Sequence, residues 1–151
     1  MAALKTNDDY DDLFDKYGQI YNVDPVLTKT VFHVESNGKP YAPNGTSGEQ
    51  GGMQIMPQLA AHYGIDPRDM TQAIPAATAY LAEGLQATGG NPAAALAYYN
   101  GGPKTLQRVL PSTQGYVAKA ASYYPQMKLI GSAEAAQAAA PDASPSAPPV
   151  M

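Results

Sequence analysis

The chain has 151 residues, of which 44% are hydrophobic and 15% charged, and its formal net charge is −4. This composition predicts one soluble globular domain, and the acidic balance argues against nucleic acid or acidic lipid as the main partner. The absence of cysteine excludes disulfides and thiolate metal sites, and two histidines are too few for a metal cluster. We therefore expect no metal and no other cofactor. A substrate would be held by stacking and hydrogen bonds, for which the 11 tyrosines are suited.

The amino terminus shows no secretory signal, because "MAALKTNDDYDDLFDKYG" is polar and acidic without an apolar core. No apolar run approaches the roughly 20 residues that span a bilayer, so we expect no membrane insertion. The chain would act where it is made, be carried to its target, or have lost a signal segment.

The first predicted helix is capped by Asp8 or Asp9 and runs to about Tyr21. Its apolar side carries residues at helical spacing, namely Leu13, Phe14, Tyr17 and Ile20 or Tyr21.

The second predicted helix begins at an Asp24 cap with Pro25 in the first helical position, and Gly38 follows its end. Its apolar stripe consists of Val23, Leu27, Thr30, Val31 and Val34. Glu35 projects along the edge of this stripe. Partial desolvation there would raise the pKa of its carboxyl, as a general acid requires. The alternative is a solvated glutamate in the last turn of a surface helix.

The remaining ordered part is predicted to be helical after one irregular insert. Residues 39–52 are rich in Gly, Pro, Asn and Ser, which indicates loops with a short hairpin. Five helices follow, at Pro57–Tyr63, Pro75–Thr88, Pro92–Tyr99, Pro103–Leu110 and Gln114–Tyr123. The architecture is therefore mainly α.

The composition changes after about Ile130, where "GSAEAAQAAAPDASPSAPPVM" is almost entirely Ala, Pro and Ser. Such a stretch lacks the apolar surface to offset its ordering entropy. We expect a folded catalytic domain over residues 1–130 and a disordered linker or frayed tail over 131–151. A linker at this position suggests a domain of a longer protein.

Four motifs in order give the chain a family resemblance: "ES", "GEQGGMQIMP", "ALAYYNGGP" and "TQGYVAKA". Together they resemble the lysozyme-like lytic transglycosylases, the soluble lytic transglycosylase catalytic domains that cleave peptidoglycan. The resemblance covers about Tyr10 to Tyr124. It implies an α+β lysozyme-like fold, mainly α, with a loop or β-hairpin insert flanking the cleft. The family positions fall on Glu35, Ser36, Gly51, Gly52, Met53, Gln54, Tyr98, Tyr99, Asn100, Gly101, Gly102, Tyr116 and Val117.

Three positions depart from the family pattern. Gly52 replaces a leucine and Gly101 an alanine, which makes these segments looser or allows closer backbone approach. Ser112 stands where many relatives carry a glutamate, which puts an auxiliary carboxylate in doubt.

The resemblance implies a reaction that needs one carboxylate. Glu35 would protonate the leaving oxygen of the β-1,4 bond between N-acetylmuramic acid and N-acetylglucosamine. The acetamido group of the substrate would stabilise the cationic anomeric centre. Ionised Glu35 would then take the proton of the C6 hydroxyl, which closes onto C1 as a 1,6-anhydro ring.

The other motif residues have a substrate-binding and a structural interpretation. Substrate binding is expected for Ser36, Gln54, Met53, Tyr99, Asn100 and Tyr116, with Met53 as a groove-lining residue and a core position as its alternative. The structural alternatives are a helix-end cap for Ser36, a loop-bracing amide for Gln54 and a core position for Tyr116. Tyr98 and His33 are interpreted as packing residues, and Glu49 and Glu83 as solvated.

Two other functions remain open. A muramidase of the same fold would hydrolyse the bond with Glu35 and a second carboxylate, for which Glu49 is the nearby candidate. Its glycine-rich loop predicts mobility, which disfavours a precise catalytic position. A non-catalytic glycan-binding module is the third possibility, although binding alone has no use for a half-buried acid.

The start "YDDLFDKYGQIYNVDP" also resembles amino-terminal domains of phage virion proteins that pierce the cell wall. We therefore expect a monomeric domain that acts on periplasmic or cell-wall peptidoglycan, carried in a virion or derived from a bacterial enzyme. The expected partner is the peptidoglycan glycan strand.

Overall fold

The computed structural model describes residues 8–124, which form six α-helices and one short 3₁₀ helix. The α-helices are α1 (Asp8–Tyr21), α2 (Pro25–Ser36), α3 (Pro57–Tyr63), α4 (Met70–Ala87), α5 (Pro92–Gly101) and α6 (Pro111–Ala121). The 3₁₀ helix, Pro103–Leu106, lies between α5 and α6 in the sequence. The described residues divide into two compact units, one ending at Ala79 and one beginning at Tyr80. The prediction of a mainly helical fold is confirmed.

Helix α1 buries Phe14 against α2. The predicted apolar side is wrong at its end, because Ile20 and Tyr21 are 59% and 39% exposed. Helix α1 continues to Tyr21 and ends at Asn22, which has φ +57°. The carbonyl of Gly18 accepts a hydrogen bond of 2.8 Å from the N–H of Val23 across this helix end. Ile20 and Tyr21 therefore lie in the last turn of the helix.

Helix α2 has the predicted ends. The Asp24 carboxylate accepts a hydrogen bond of 2.9 Å from the N–H of Val26, and a proline occupies the first helical position. At the other end Asn37 adopts a left-handed conformation with φ +56°, and its N–H donates to the carbonyl of His33. The stripe is buried at Val23, Leu27, Thr30 and Val31, and half-buried at Val34.

The predicted hairpin is present but begins near the end of the loop segment. Gln50 and Ile55 form an antiparallel bridge in which each N–H donates to the other carbonyl at 3.0 Å. The turn between them places Gln54 at φ +49°, and its N–H donates to the carbonyl of Gly51. Helix α3 follows directly with the predicted bounds.

Helix α4 begins five residues before the predicted start, because Pro75 lies inside it. Asp69 provides the cap that the sequence analysis missed, since its carboxylate accepts the N–H of Thr71 at 2.9 Å. A proline in the second turn lacks one backbone donor, and the helix continues through it. The buried side of the helix follows a helical period and contains Met70, Ala73, Ile74, Ala77 and Leu81.

The Asp69 cap predicts a loss of stability in acid. Hydrogen bonds from the Thr71 hydroxyl, the Gln72 amide and the Thr71 N–H lower the pKa of Asp69. Its contribution to stability is therefore complete above the unfolded pKa of about 3.9 and disappears as pH falls through the lower folded value. We expect Asp69→Asn to lower Tm near neutral pH and to approach the parent Tm near pH 2. Melting curves across this range test it, and a gap that does not change with pH would contradict the assignment.

The later helices differ from prediction mainly at their ends. Helix α5 begins as predicted after Asn91, whose side chain accepts the N–H of Ala93 and Ala94, and it ends before Gly102 at φ +79°. The predicted helix Pro103–Leu110 is only the short 3₁₀ helix. Helix α6 begins at Pro111 instead of Gln114, because the extended Leu110 delivers the chain to another first-position proline.

The predicted tail, residues 131–151, lies outside the described residues. Within residues 8–124, no helix combines the length and the apolar character needed to cross a membrane.

Candidate active site

Glu35 lies in the last turn of α2, where its side chain is half-buried. The carboxyl therefore sits at the negative end of the helix dipole, an unfavourable place for a negative charge. Asn37 and Gly38, both left-handed, end the helix directly after it. A general acid must be protonated before the reaction, and this role of Glu35 stays a prediction.

Ser36 is 9% exposed, and its hydroxyl donates a 3.0 Å hydrogen bond to the carbonyl of Phe32. The hydroxyl proton is therefore used within α2, in agreement with the helix-end interpretation. Its oxygen still has acceptor capacity. A role towards Glu35 or a substrate stays a prediction.

The turn of the hairpin packs against the end of α2 through Gly52. A Cβ atom at Gly52 would lie 2.9 Å from the Phe32 ring, 2.8 Å from the Met70 sulfur and 3.1 Å from the Lys39 carbonyl oxygen. Of the two consequences predicted for this glycine, the structure shows the closer backbone approach. The packing places Gly52 against the side chain of Phe32, which lies three residues before Glu35 in α2.

Gln54 braces the loop in front of the hairpin. Its side-chain nitrogen donates to the carbonyl oxygens of Gly51 at 2.8 Å and Pro43 at 3.2 Å. The side-chain nitrogen therefore holds the loop, as the structural alternative predicted. Only the side-chain oxygen of Gln54 remains as a candidate substrate contact. Met53 is 0% exposed, so it lies in the core and does not face a substrate.

Glu49 is half-buried and hydrogen-bonded to its own loop. Its carboxylate accepts the N–H of Ser47 at 2.9 Å, and its carbonyl accepts the N–H of Gly45 at 2.8 Å. Gly45 and Gly48 form a hydrogen-bonded turn, in which the N–H of Gly48 donates to the carbonyl of Gly45. The structure thus gives no support to the predicted mobility. Glu49 is instead disfavoured as a catalytic base because its carboxylate is engaged in the loop.

The second unit carries the other predicted site residues. Tyr99 is buried with its ring centroid 5.7 Å from that of Tyr80, whereas Asn100 is exposed at the end of α5. The hydroxyl of Thr113 in α6 donates to the Asn100 side-chain oxygen at 2.8 Å. Tyr116 is half-buried one turn further along α6.

Tyr98 packs in the second unit, as predicted. It is buried, and its hydroxyl donates a short 2.5 Å hydrogen bond to the carboxylate of Glu83. Glu83 is exposed, yet it is not merely solvated. Room for the Tyr98 ring comes from Gly84, where a Cβ atom would lie 3.2 Å from it.

Gly101 allows the elements after α5 to approach its last turn. A Cβ atom there would lie 2.5 Å from Thr105 Cγ2 and 3.2 Å from Thr113 Oγ1. The closer approach predicted at this departure from the family pattern is therefore present. Sequence reasoning missed Thr113, because nothing local in the sequence pairs it with Asn100.

The helical fold and the order of the four sequence motifs agree with a match to a known protein family. The model of the Transglycosylase SLT domain matches residues 12–121. The chain belongs to this family.

Two relatives, one of them in two structures, illustrate the match. A protein of Enterobacteria phage PRD1 named "Transglycosylase" is 40% identical over 82 residues, which are 54% of this chain and 31% of that protein. The 70 kDa soluble lytic transglycosylase of Escherichia coli superposes with a TM-score of 0.61 and 23% identity, over 86% of this chain and 24% of that one. Its complex with bulgecin A gives the same TM-score and identity, over 86% of this chain and 23% of that one. At this identity the structural likeness shows the fold, and the chain spans under a third of the length of these relatives.

Proposed function

We propose that this protein is a peptidoglycan lytic transglycosylase. It cleaves the β-1,4 bond between N-acetylmuramic acid and N-acetylglucosamine and leaves a 1,6-anhydromuramic end. The observation that carries the proposal is the family match over residues 12–121, with Glu35 half-buried at the end of α2.

Glu35 acts first as acid and then as base. Its proton passes to the glycosidic oxygen as the bond to C1 breaks, and the acetamido group of the same sugar stabilises the positive C1. The carboxylate then removes the C6 hydroxyl proton while O6 forms its bond to C1. Glu35 ends protonated as it began, so no water and no second carboxylate are consumed.

The remaining assignments follow from the resemblance and from the placement of the side chains. Tyr99, Asn100 and Tyr116 bind sugar, the Gln54 side-chain oxygen accepts from the substrate, and Ser36 supports the end of α2 that carries Glu35. Met53 supports the hairpin from the core.

The partner is the glycan strand of periplasmic or cell-wall peptidoglycan, on which the domain acts as a monomer. Carriage in a phage virion is part of this proposal, and the phage PRD1 relative named "Transglycosylase" supports it.

Digestion of purified sacculi tests the reaction. We expect soluble muropeptides with 1,6-anhydro ends, identified by mass spectrometry and by their resistance to borohydride reduction. Reducing ends would indicate a muramidase, and binding to sacculi without soluble products would indicate a glycan-binding module.

Glu49→Ala separates the two enzymatic reactions. Because the C6 hydroxyl is the nucleophile, we expect the variant to keep activity within about tenfold of the parent, a barrier change of roughly 1.4 kcal/mol. Its products should still carry the anhydro ring. A fall of several orders of magnitude, together with reducing ends from the parent protein, would make the muramidase the correct reading. Ser47→Pro, which removes the N–H that Glu49 accepts, distinguishes loop damage from lost chemistry.

A further inference from the structure

The side-chain amide of Asn100 is held in one orientation by Thr113. Thr113 is 4% exposed, and the large majority of buried side-chain hydroxyls are hydrogen-bonded. The acceptor that the structure provides is the Asn100 side-chain oxygen, at 2.8 Å. The amide oxygen is thereby turned towards α6, and the NH₂ group is left for a partner outside the protein.

Two features make this bond possible. Asn100 lies in the last turn of α5, one residue before Gly101, where the missing side chain leaves room for the Thr113 hydroxyl. Thr113 is the third residue of α6, so the start of that helix faces the end of α5. The side chain of the exposed Asn100 is thus hydrogen-bonded to the buried Thr113.

An outward NH₂ group selects the chemistry of its ligand, because it can donate hydrogen bonds but cannot accept them. Among neutral groups of a glycan, an amide carbonyl is a stronger acceptor than a hydroxyl. The acetamido carbonyl of an N-acetylated sugar fits this requirement, and a free amino group does not.

We infer that Thr113 is a positioning residue that fixes the Asn100 amide for the acetamido carbonyl of the glycan, so that this pair makes the protein prefer N-acetylated strands. The inference rests on the proposed function for its ligand class. The proposed reaction already uses an acetamido group at C1, and the inference adds a pair of residues that recognises such a group in the binding step.

Binding of two hexasaccharides tests the inference, with Glu35→Gln present throughout so that nothing is cleaved. The ligands are the β-1,4 hexamer of N-acetylglucosamine and the corresponding hexamer of glucosamine, measured by titration calorimetry. We expect Thr113→Val to weaken binding of the N-acetylated hexamer about three- to tenfold, the value of one hydrogen bond. Binding of the glucosamine hexamer should be almost unchanged, and Thr113→Ser should restore the preference. The protein charge is the same in every variant. The attraction of the cationic glucosamine hexamer therefore cancels when the dissociation constant of a variant is divided by that of the parent for the same ligand.

A double-mutant cycle distinguishes positioning from general structural support. Asn100→Ala alone should abolish the preference, and Thr113→Val should then cause no further loss. Thr88→Val is the matched control for the loss of a threonine hydroxyl. The Thr88 hydroxyl donates to the carbonyl of Gly84, near the end of α4, at 2.7 Å. If Thr113→Val melts below the assay temperature, Asn100→Ala and Thr113→Ser still decide the result.

Equal weakening for both hexamers, or additive losses in the cycle, would each overturn the inference. Failure of the proposed function gives a different result. Sacculi would then yield no anhydro products, while the acetyl preference and its loss in Thr113→Val would persist.

Discussion

Glu35→Gln is expected to abolish lysis of peptidoglycan while the protein remains folded. The amide is nearly isosteric with the carboxylic acid, but it can neither supply the proton for the leaving oxygen nor accept the C6 hydroxyl proton. General acid–base assistance contributes about 10²–10⁴-fold, and here one group serves both steps. The loss should therefore be at least of this size. Because the amide has nearly the same size and shape as the carboxyl group, the half-buried side chain should still fit its place in α2.

Turbidity clearing of sacculi measures the activity, and a thermal melt verifies the fold. Glu83→Gln is a matched control for the same chemical change, because the amide oxygen can still accept the Tyr98 hydroxyl proton. We expect this control to lyse like the parent. Near-normal clearing by folded Glu35→Gln would remove Glu35 from the reaction.

Local sequence signals predicted the elements whose ends depend on neighbouring residues. Asp24 and Pro25 define the start of α2, and Pro57 defines that of α3, because capping and the fixed φ of proline act within one turn. The same logic failed at Pro75. There the Asp69 cap lies far enough upstream for the helix to contain the proline in its second turn.

Local conformation explains the other differences. Ile20 has the right spacing for a buried position, but it lies in the last turn of α1, just before the left-handed Asn22. The loop glycines near Glu49 suggest mobility by composition, yet hydrogen bonds among residues 45–49 close the turn. Neither outcome could be read from periodicity.

In the candidate site, the sequence predicted which residues matter but not their hydrogen-bond partners. The motif order identified Glu35, Gln54 and Asn100 as residues of interest, because their types suit the chemistry. It could not show that the Gln54 nitrogen braces Pro43, nor that Thr113 anchors Asn100. Hydrogen-bond partners far apart in sequence become visible only in the folded chain.

The hairpin that packs against Phe32 of α2 depends on one glycine that no side chain can replace. Gly51 has φ +77°, a region that costs an L-residue about 1–2 kcal/mol. A Cβ atom there would lie 2.0 Å from the carbonyl oxygen of Pro67 and 3.2 Å from Arg68 Cα. These are backbone atoms, so no side-chain rotation can relieve the overlap. The turn must move, and the Gly52 packing against α2 moves with it.

Gly51→Ala is therefore expected to be strongly destabilising and inactive. Overpacking costs about 1–3 kcal/mol, which added to the conformational term gives a loss of roughly 2–5 kcal/mol. Native domains have only about 5–15 kcal/mol in total. Thermal and urea unfolding, with turbidity clearing at a temperature where the variant is folded, measure both effects.

Two other glycines separate the conformational cost from the steric one. Gly64 has φ +66° and Gly48 has φ +94°, and a Cβ atom at either would meet nothing within 4 Å. Alanine at these positions should cost only the conformational term. Gly51→Ala should then melt below them by roughly 2–12 °C, the equivalent of the additional 1–3 kcal/mol. A variant Gly51→Ala that melts with these controls and still lyses sacculi would show that the hairpin does not need its close contact with Pro67. In that case the position of the Gly51–Gln54 turn against α2 must be fixed by the Gln50–Ile55 bridge and the Gln54 side chain instead.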